Sequence, residues 1–97
     1  MSWGIEITGT REAVAKKVTE SFDKMAANYA GKEEGKDILA AKERTLALID
    51  ACDLTSDSYG TGWNAVNVKA SGSHGWTDKG LTNASMQISV TRMVLAL

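Results

Sequence analysis

Proline is absent from this 97-residue chain, and cysteine and histidine occur once each, at Cys52 and His74. A lone cysteine excludes a disulfide within the chain, so folding has to rest on packing. One histidine and one cysteine, separated by a helix end and a strand, also cannot assemble the usual three- or four-ligand zinc set. No uncharged apolar run approaches the ~20 residues that a membrane span needs. Met1 to Glu6 has neither the basic start nor the apolar stretch of a secretory signal, which makes an intracellular chain, or one delivered by lysis or particle assembly, the expectation. A net charge of -1 provides no general attraction to nucleic acid or to an anionic membrane, and neither is expected as a partner.

Charge is also scarce in one half of the chain. Residues 1 to 53 hold 8 of the 11 basic and 10 of the 12 acidic residues. Charged, helix-favouring sequence therefore comes first, and Ser-, Thr-, Asn- and Gly-rich strand sequence follows. With 43% apolar residues and this length, the composition is that of one ordinary globular domain, residues 1 to 97, with a single core. No internal repeat and no low-complexity tract is present.

The clearest pattern runs from Ala65 to Arg92 and reads as one β-hairpin. If Asp78, Lys79 and Gly80 form a three-residue loop, Thr77 pairs with Leu81, Ala70 with Ile88 and Val68 with Val90. One face then carries Val66, Val68, Ala70, Gly72, Met86, Ile88 and Val90, and the other carries the polar set from Asn67 to Thr91. Side chains alternate along a strand, so this separation defines a half-buried antiparallel sheet. Gly72 and Gly75 predict a bulge or a projecting arm near the tip. Beyond Arg92 the alternation breaks, and Met93, Val94, Leu95 and Leu97 form an apolar tail that a monomer must bury against its own body or an oligomer against a neighbour.

Upstream, Trp3, Ile5 and Ile7 alternate with small or polar residues and predict a first strand with three inward side chains, ended by Gly9. Thr10 suits a helix N-cap and Glu12 the positive end of the dipole. Val14, Val18, Phe22, Met25 and Tyr29 then mark one helix face, with Gly31 as the expected C-cap. Lys32 to Lys36 reads as a charged connection. A second helix is predicted from about Asp37, with Ile38, Ala41, Thr45, Leu48 and Cys52 on one stripe and Leu39, Leu46 and Ile49 widening it. Asp53 to Asn64 has loop composition, and its length makes it a functional candidate. The expected fold is therefore α+β: a two-layer sandwich of order β-α-α-β-β, whose three-stranded, mainly antiparallel sheet is covered on one face by two helices. The strand order is left open, since the first strand fits beside either arm of the hairpin.

Motifs that suggest chemistry are outweighed by simpler readings. Gly60, Gly62 and Ala65 spell a loose dinucleotide fingerprint, but a loop precedes it and a strand follows, whereas phosphate needs a helix N-terminus there. Asp53, Thr55 and Asp57 have calcium-loop spacing, yet Ser58 stands where the turn glycine belongs and Asn64 where the bidentate glutamate belongs. Ser73 and His74 are strand neighbours pointing to opposite faces, so they cannot act as nucleophile and base. The helical glutamates lie among lysines, as on a solvated face. No enzymatic activity, cofactor or metal is expected. Cys52, on an apolar stripe, reads as a buried small hydrophobe.

Trp3 reads as core. Trp63 and Trp76, with Tyr59 and His74, lie at loop and hairpin-tip positions, where aromatics serve either as interface anchors or as packing that ties down the loop and arm. The weakly charged sheet face and poorly guarded strand edges make pairing with another chain physically easy, the simpler reading being a solvated sheet face.

The start M-S-W-G-I-E-I-T-G, and the stretch V-N-V-K-A-S-G-S-H-G followed by N-A-S-M-Q-I-S-V, resemble a group of small phage and prophage proteins. Those begin M-S-W, carry a central helical region and finish with a V-x-V-x-A-x-G-S strand and an N-x-L-x-I-x-I strand. This chain departs from them in its longer middle loop and in the tail Met93 to Leu97. The resemblance implies phage origin, hence the host cytoplasm or a virion as location, and supplies no site residues. The apolar tail, the weakly charged sheet face and the projecting arm make a non-enzymatic, self-associating virion or assembly component the leading reading; the alternatives are an inhibitor of a bacterial defence system (anti-CRISPR or similar) that binds a host protein, and an oligomeric sponge for a small molecule or nucleotide whose pocket Trp63, Tyr59 and His74 line. The expected partner is a protein, either a second copy in a homo-oligomer or another phage or host protein, and the expected contact residues are Tyr59, Trp63, His74, Trp76, Met93 and Leu95.

Overall fold

The computed structural model describes residues 2–55, 62–77 and 80–96, without the side chains of residues 2, 3, 34, 73–77, 80–86 and 96. Its elements are β1 (Ser2–Gly9), α1 (Arg11–Ala27), α2 (Glu33–Ala51), β2 (Gly62–Thr77) and β3 (Gly80–Ala96), the expected β-α-α-β-β order. The sheet order is β1-β2-β3, antiparallel throughout. β1 thus lies beside the first arm of the hairpin, with Ile5 opposite Ala70 and Ile7 opposite Val68. The long β2–β3 hairpin keeps the register that its alternation dictates, Ala70 facing Ile88 and Val68 facing Val90.

Two features of the hairpin differ from expectation. At the distal end Thr77 faces Gly80 and Trp76 faces Leu81, because a register shift at Ser73/His74 inserts one extra residue on β3. The bulge expected from the tip glycines is therefore what shortens the connection. At the other end the strands do not stop at Ala65 and Arg92. Gly62 to Ala65 pair with Met93 to Ala96, so the apolar tail is the last stretch of β3 and Trp63 is a strand residue.

The helices cover one face. Thr10 caps α1, its hydroxyl accepting from the Ala13 amide at 3.2 Å. Val14, Val18 and Phe22 are fully buried, and Met25 and Tyr29 pack beside them as their spacing requires. α1 ends earlier than expected, at Asn28, and Gly31 instead occupies the left-handed conformation of the following turn with φ +79°. α2 starts four residues before the predicted Asp37. Glu33 places negative charge at the positive end of the helix dipole and pairs with Lys36 at 3.4 Å, so the charged segment forms the first turn rather than a linker. Gly35 lets that turn approach α1: a Cβ there would stand 2.5 Å from the Tyr29 carbonyl oxygen.

The core joins Val14, Val18 and Phe22 to Ile38, Ala41 and Ile49 of α2 and to Val66, Val68 and Ala70 of the central strand, with Ile5, Ile7, Ile88 and Val90 packed around them. α1 rests on β1 and β2, and α2 on β3. Thr45, buried in this layer, donates its hydroxyl to the Ala41 carbonyl at 2.7 Å. Leu39 and Leu48, read as part of the α2 stripe, are instead 41% exposed. They lie on opposite flanks of the helix, outside the arc that the sheet and α1 cover.

The molecule is long, 55 × 18 × 18 Å with a radius of gyration of 15.4 Å, against roughly 12–13 Å for a compact chain of this size. The hairpin sets that length, since 17 residues at about 3.3 Å each reach about the long axis. β1 pairs only with Val66 to Ser73, so both ends of the hairpin outrun it.

Candidate interaction surface

The sheet face turned away from the helices changes character along its length. In the middle, Glu6 and Lys69 form an exposed cross-strand ion pair at 3.3 Å, next to Ser89. Gly4, Ser71 and Gln87 form the next row toward the tip. The small residues Gly4 and Ser71 leave a shallow, open hollow of about 790 Å³ along the face. In the other direction Asn67, only 4% exposed, donates to the Thr8 hydroxyl at 2.7 Å. This partner lets a central-strand amide be buried without an unpaired polar group.

Past Asn67 the same face becomes apolar. Ala65 pairs with Met93 and Trp63 with Leu95, so four apolar side chains adjoin at the base of the hairpin. Ala65 is buried, Trp63 and Leu95 are half-buried, and Met93 is 37% exposed. The opposite face of this base carries Val94, 47% exposed. A side chain on Gly62 would collide there, its Cβ lying 2.6 Å from Val94 Cγ1.

Polar contacts fasten this base to the end of α2. Asn64 Nδ2 donates to the Leu54 carbonyl at 2.7 Å, and Arg92 Nη1 reaches Asn64 Oδ1 at 3.4 Å. Asp53 accepts from the Thr55 hydroxyl at 2.6 Å and from its amide at 2.9 Å. Both bonds stabilise the carboxylate and lower the Asp53 pKa below the usual aspartate value. The Asp53 side chain is therefore engaged in a local turn. Among the described residues, no three His, Cys, Asp or Glu side chains gather as a metal site would need. Cys52, read as buried, is half-buried at the C-cap of α2 and packs against the core.

A further anchor was not foreseen. Arg11, in the first turn of α1, extends its guanidinium across to the end of α2, where Nη1 donates to the Ile49 and Asp50 carbonyls and Nη2 to the Cys52 carbonyl at 2.9 Å. The sequence does hold a cue: a cation at the positive end of a helix is unfavourable unless it serves something else. Elsewhere between the two helices, Lys42 donates to Asp23 at 2.8 Å, which raises the lysine pKa above its usual value.

Of the expected contact residues, the structure brings together Trp63, Met93 and Leu95. His74 and Trp76 lie on distal β2 opposite Asn83 and Leu81, and their side chains are outside the description. They are 11 and 13 positions from Trp63 along an extended strand, roughly 36 and 43 Å away, so no pocket within one chain contains both ends. Tyr59 lies outside the described residues, as does the side chain of Trp3. No known protein family, curated protein or solved structure matches this chain. Likewise, no helix among the described residues is long and apolar enough to cross a membrane.

Proposed function

We propose that this chain is a non-enzymatic phage protein that works through protein contacts, as a self-associating virion or assembly component. The observation that carries the reading is the apolar group Trp63, Ala65, Met93 and Leu95 at the hairpin base, on a sheet face that is otherwise polar. An apolar cluster bordered by a polar row fits the make-up of an interface, and Trp63 is the kind of aromatic side chain that anchors one. The resemblance of the chain's two ends to small phage proteins supports the setting.

The test is the absolute mass in solution, by light scattering over a concentration series. A stable oligomer is expected, and Met93→Lys with Leu95→Lys is expected to lower its mass. A strict monomer at the highest concentration would overturn self-association and make a host-protein pull-down the next experiment.

A further inference from the structure

We propose that a second copy of this chain docks on the outer edge of β3, pairing the two β3 strands antiparallel about a two-fold axis and joining two three-stranded sheets into one. This rests on the self-association reading above and specifies its geometry. β3 is the last strand of the sheet, and among the described residues nothing pairs with its outer side. An edge strand presents a row of unpaired N–H and C=O groups, which proteins ordinarily guard with lysine, proline, a covering element or a short strand. β3 has no such side-chain guard: it runs for 17 residues, Gly80–Ala96, with Arg92 as its one charge and no proline. Its bulge lies beyond Ser85, leaving a regular stretch from Ser85 to Ala96. β1, the other edge, is 8 residues long and carries Glu6.

Symmetry favours a second copy as the occupant. In antiparallel pairing about a two-fold axis normal to the sheet, each residue meets one on the same face. Ile88 and Val90, half-buried beneath α2, therefore continue into the same residues of the partner, and exposed Gln87, Ser89 and Thr91 meet their own kind on the outer face. All helices end on one side of the joined sheet.

Leu48 supplies an independent observation. On α2, Gly35, Leu39, Lys42 and Leu46 line the flank toward α1, where Gly35 meets Tyr29 and Lys42 meets Asp23. Leu48 lies on the opposite flank, on the helix that covers β3, and is 41% exposed. Pairing along β3 brings the Leu48 side chains of both copies over the seam and buries them, which gives this exposed apolar group a partner. The net charge of -1 does not oppose association.

The experiment is light scattering and sedimentation on the full chain, on the triple variant Gln87→Lys, Ser89→Lys, Thr91→Lys, and on the control Glu20→Lys, Ala47→Lys. Both variants change the net charge by +3, and all five positions are exposed. Like charges directly opposite each other destabilise strand pairing. The triple variant should therefore raise the dimer dissociation constant at least tenfold while the control leaves it unchanged. Circular dichroism on each variant monitors folding. Hydrogen exchange on the unmodified chain provides a readout without mutation: alternate amides between residues 85 and 92 gain protection as concentration rises. A dimer that survives the triple lysine variant, with no concentration-dependent protection in β3, overturns edge pairing but leaves association through Trp63, Met93 and Leu95 standing. A strict monomer overturns both.

Discussion

Replacing Arg11 with alanine removes the connection between the start of α1 and the end of α2. The guanidinium donates to three backbone carbonyls, of Ile49, Asp50 and Cys52, at the end of α2, where helical amides run out and Ile49 also accepts from the Cys52 amide at 3.3 Å. Hydrogen bonds to a charged group contribute about 1.5–3 kcal/mol each where water is excluded. Here the site is half-buried, with Arg11 half-buried and Asp50 exposed, and water can replace the lost donor at the outer carbonyls. A value near the contribution of one well-made charged bond, about 2 kcal/mol for the whole fork, is therefore expected. Removing a cation from the first turn of α1 returns about 0.3–0.5 kcal/mol. The net loss of about 1.5 kcal/mol lowers the melting temperature by roughly 6–12 °C for a domain of this size. Arg11→Lys retains the charge beside the C-terminus of α2 but cannot span three acceptors, and about half the loss is expected. Arg11→Met retains the aliphatic stem and loses about as much as alanine. The assay is urea denaturation with the slope held common, supported by calorimetry. If Arg11→Ala stays within about 0.3 kcal/mol of the parent, the fork does not join the helices as described.

Three further outcomes follow from the packing and the local turns. Phe22→Ala empties a fully buried ring from the centre of the helix layer and should cost about 3–5 kcal/mol, seen as a large fall in urea midpoint. Gly35→Ala should destabilise by about 1–3 kcal/mol, although alanine favours helix, because the added carbon meets the Tyr29 carbonyl; a gain in stability would refute the close approach. For Asp53, whose pKa is lowered by Thr55, the linked contribution to stability is present above the unfolded aspartate value and is lost as pH falls through the lower folded value. An NMR titration should place the Asp53 midpoint below the usual aspartate value and show it rising in Thr55→Ala; equal midpoints in the two proteins would contradict the turn.

The hairpin was legible in the sequence for a physical reason. Slipping its register by one residue would turn Val66, Val68 and Ala70 to the wrong face, so the alternation itself specifies the pairing. The same register carried further would have placed Trp63 opposite Leu95, but the run of apolar residues from Met93 onward hides the alternation. The interaction surface was thus legible in its residue types and not in its assembly. The beginning of α2 was obscured because Lys32 provides no side-chain cap, and Gly35 there marks a close approach rather than a linker. Sheet order depends on which hairpin edge β1 meets, a choice between distant segments that local periodicity does not record. Exposure of Leu39 and Leu48 likewise follows from how wide an arc the neighbours cover, which one helix's own pattern overstates.

The position of β2 between β1 and β3 also dictates when the fold can close. Gly9 meets Val66 and Ser2 meets Ser73, so the first strand must wait for segments far along the chain. Helix formation and hairpin closure are rapid local events, whereas contacts between remote segments are slow because the intervening chain must first be brought round. During synthesis β1 leaves the ribosome before any strand that can receive it, and the helices emerge with their apolar stripes uncovered. Until β2 arrives there is no sheet for them to cover. The arrival of one segment, Gly62–Thr77, therefore converts two amphipathic helices and a solitary strand into a cooperative unit, and a ribosome stalled before it should carry a chain that chaperones and proteases treat as unfolded.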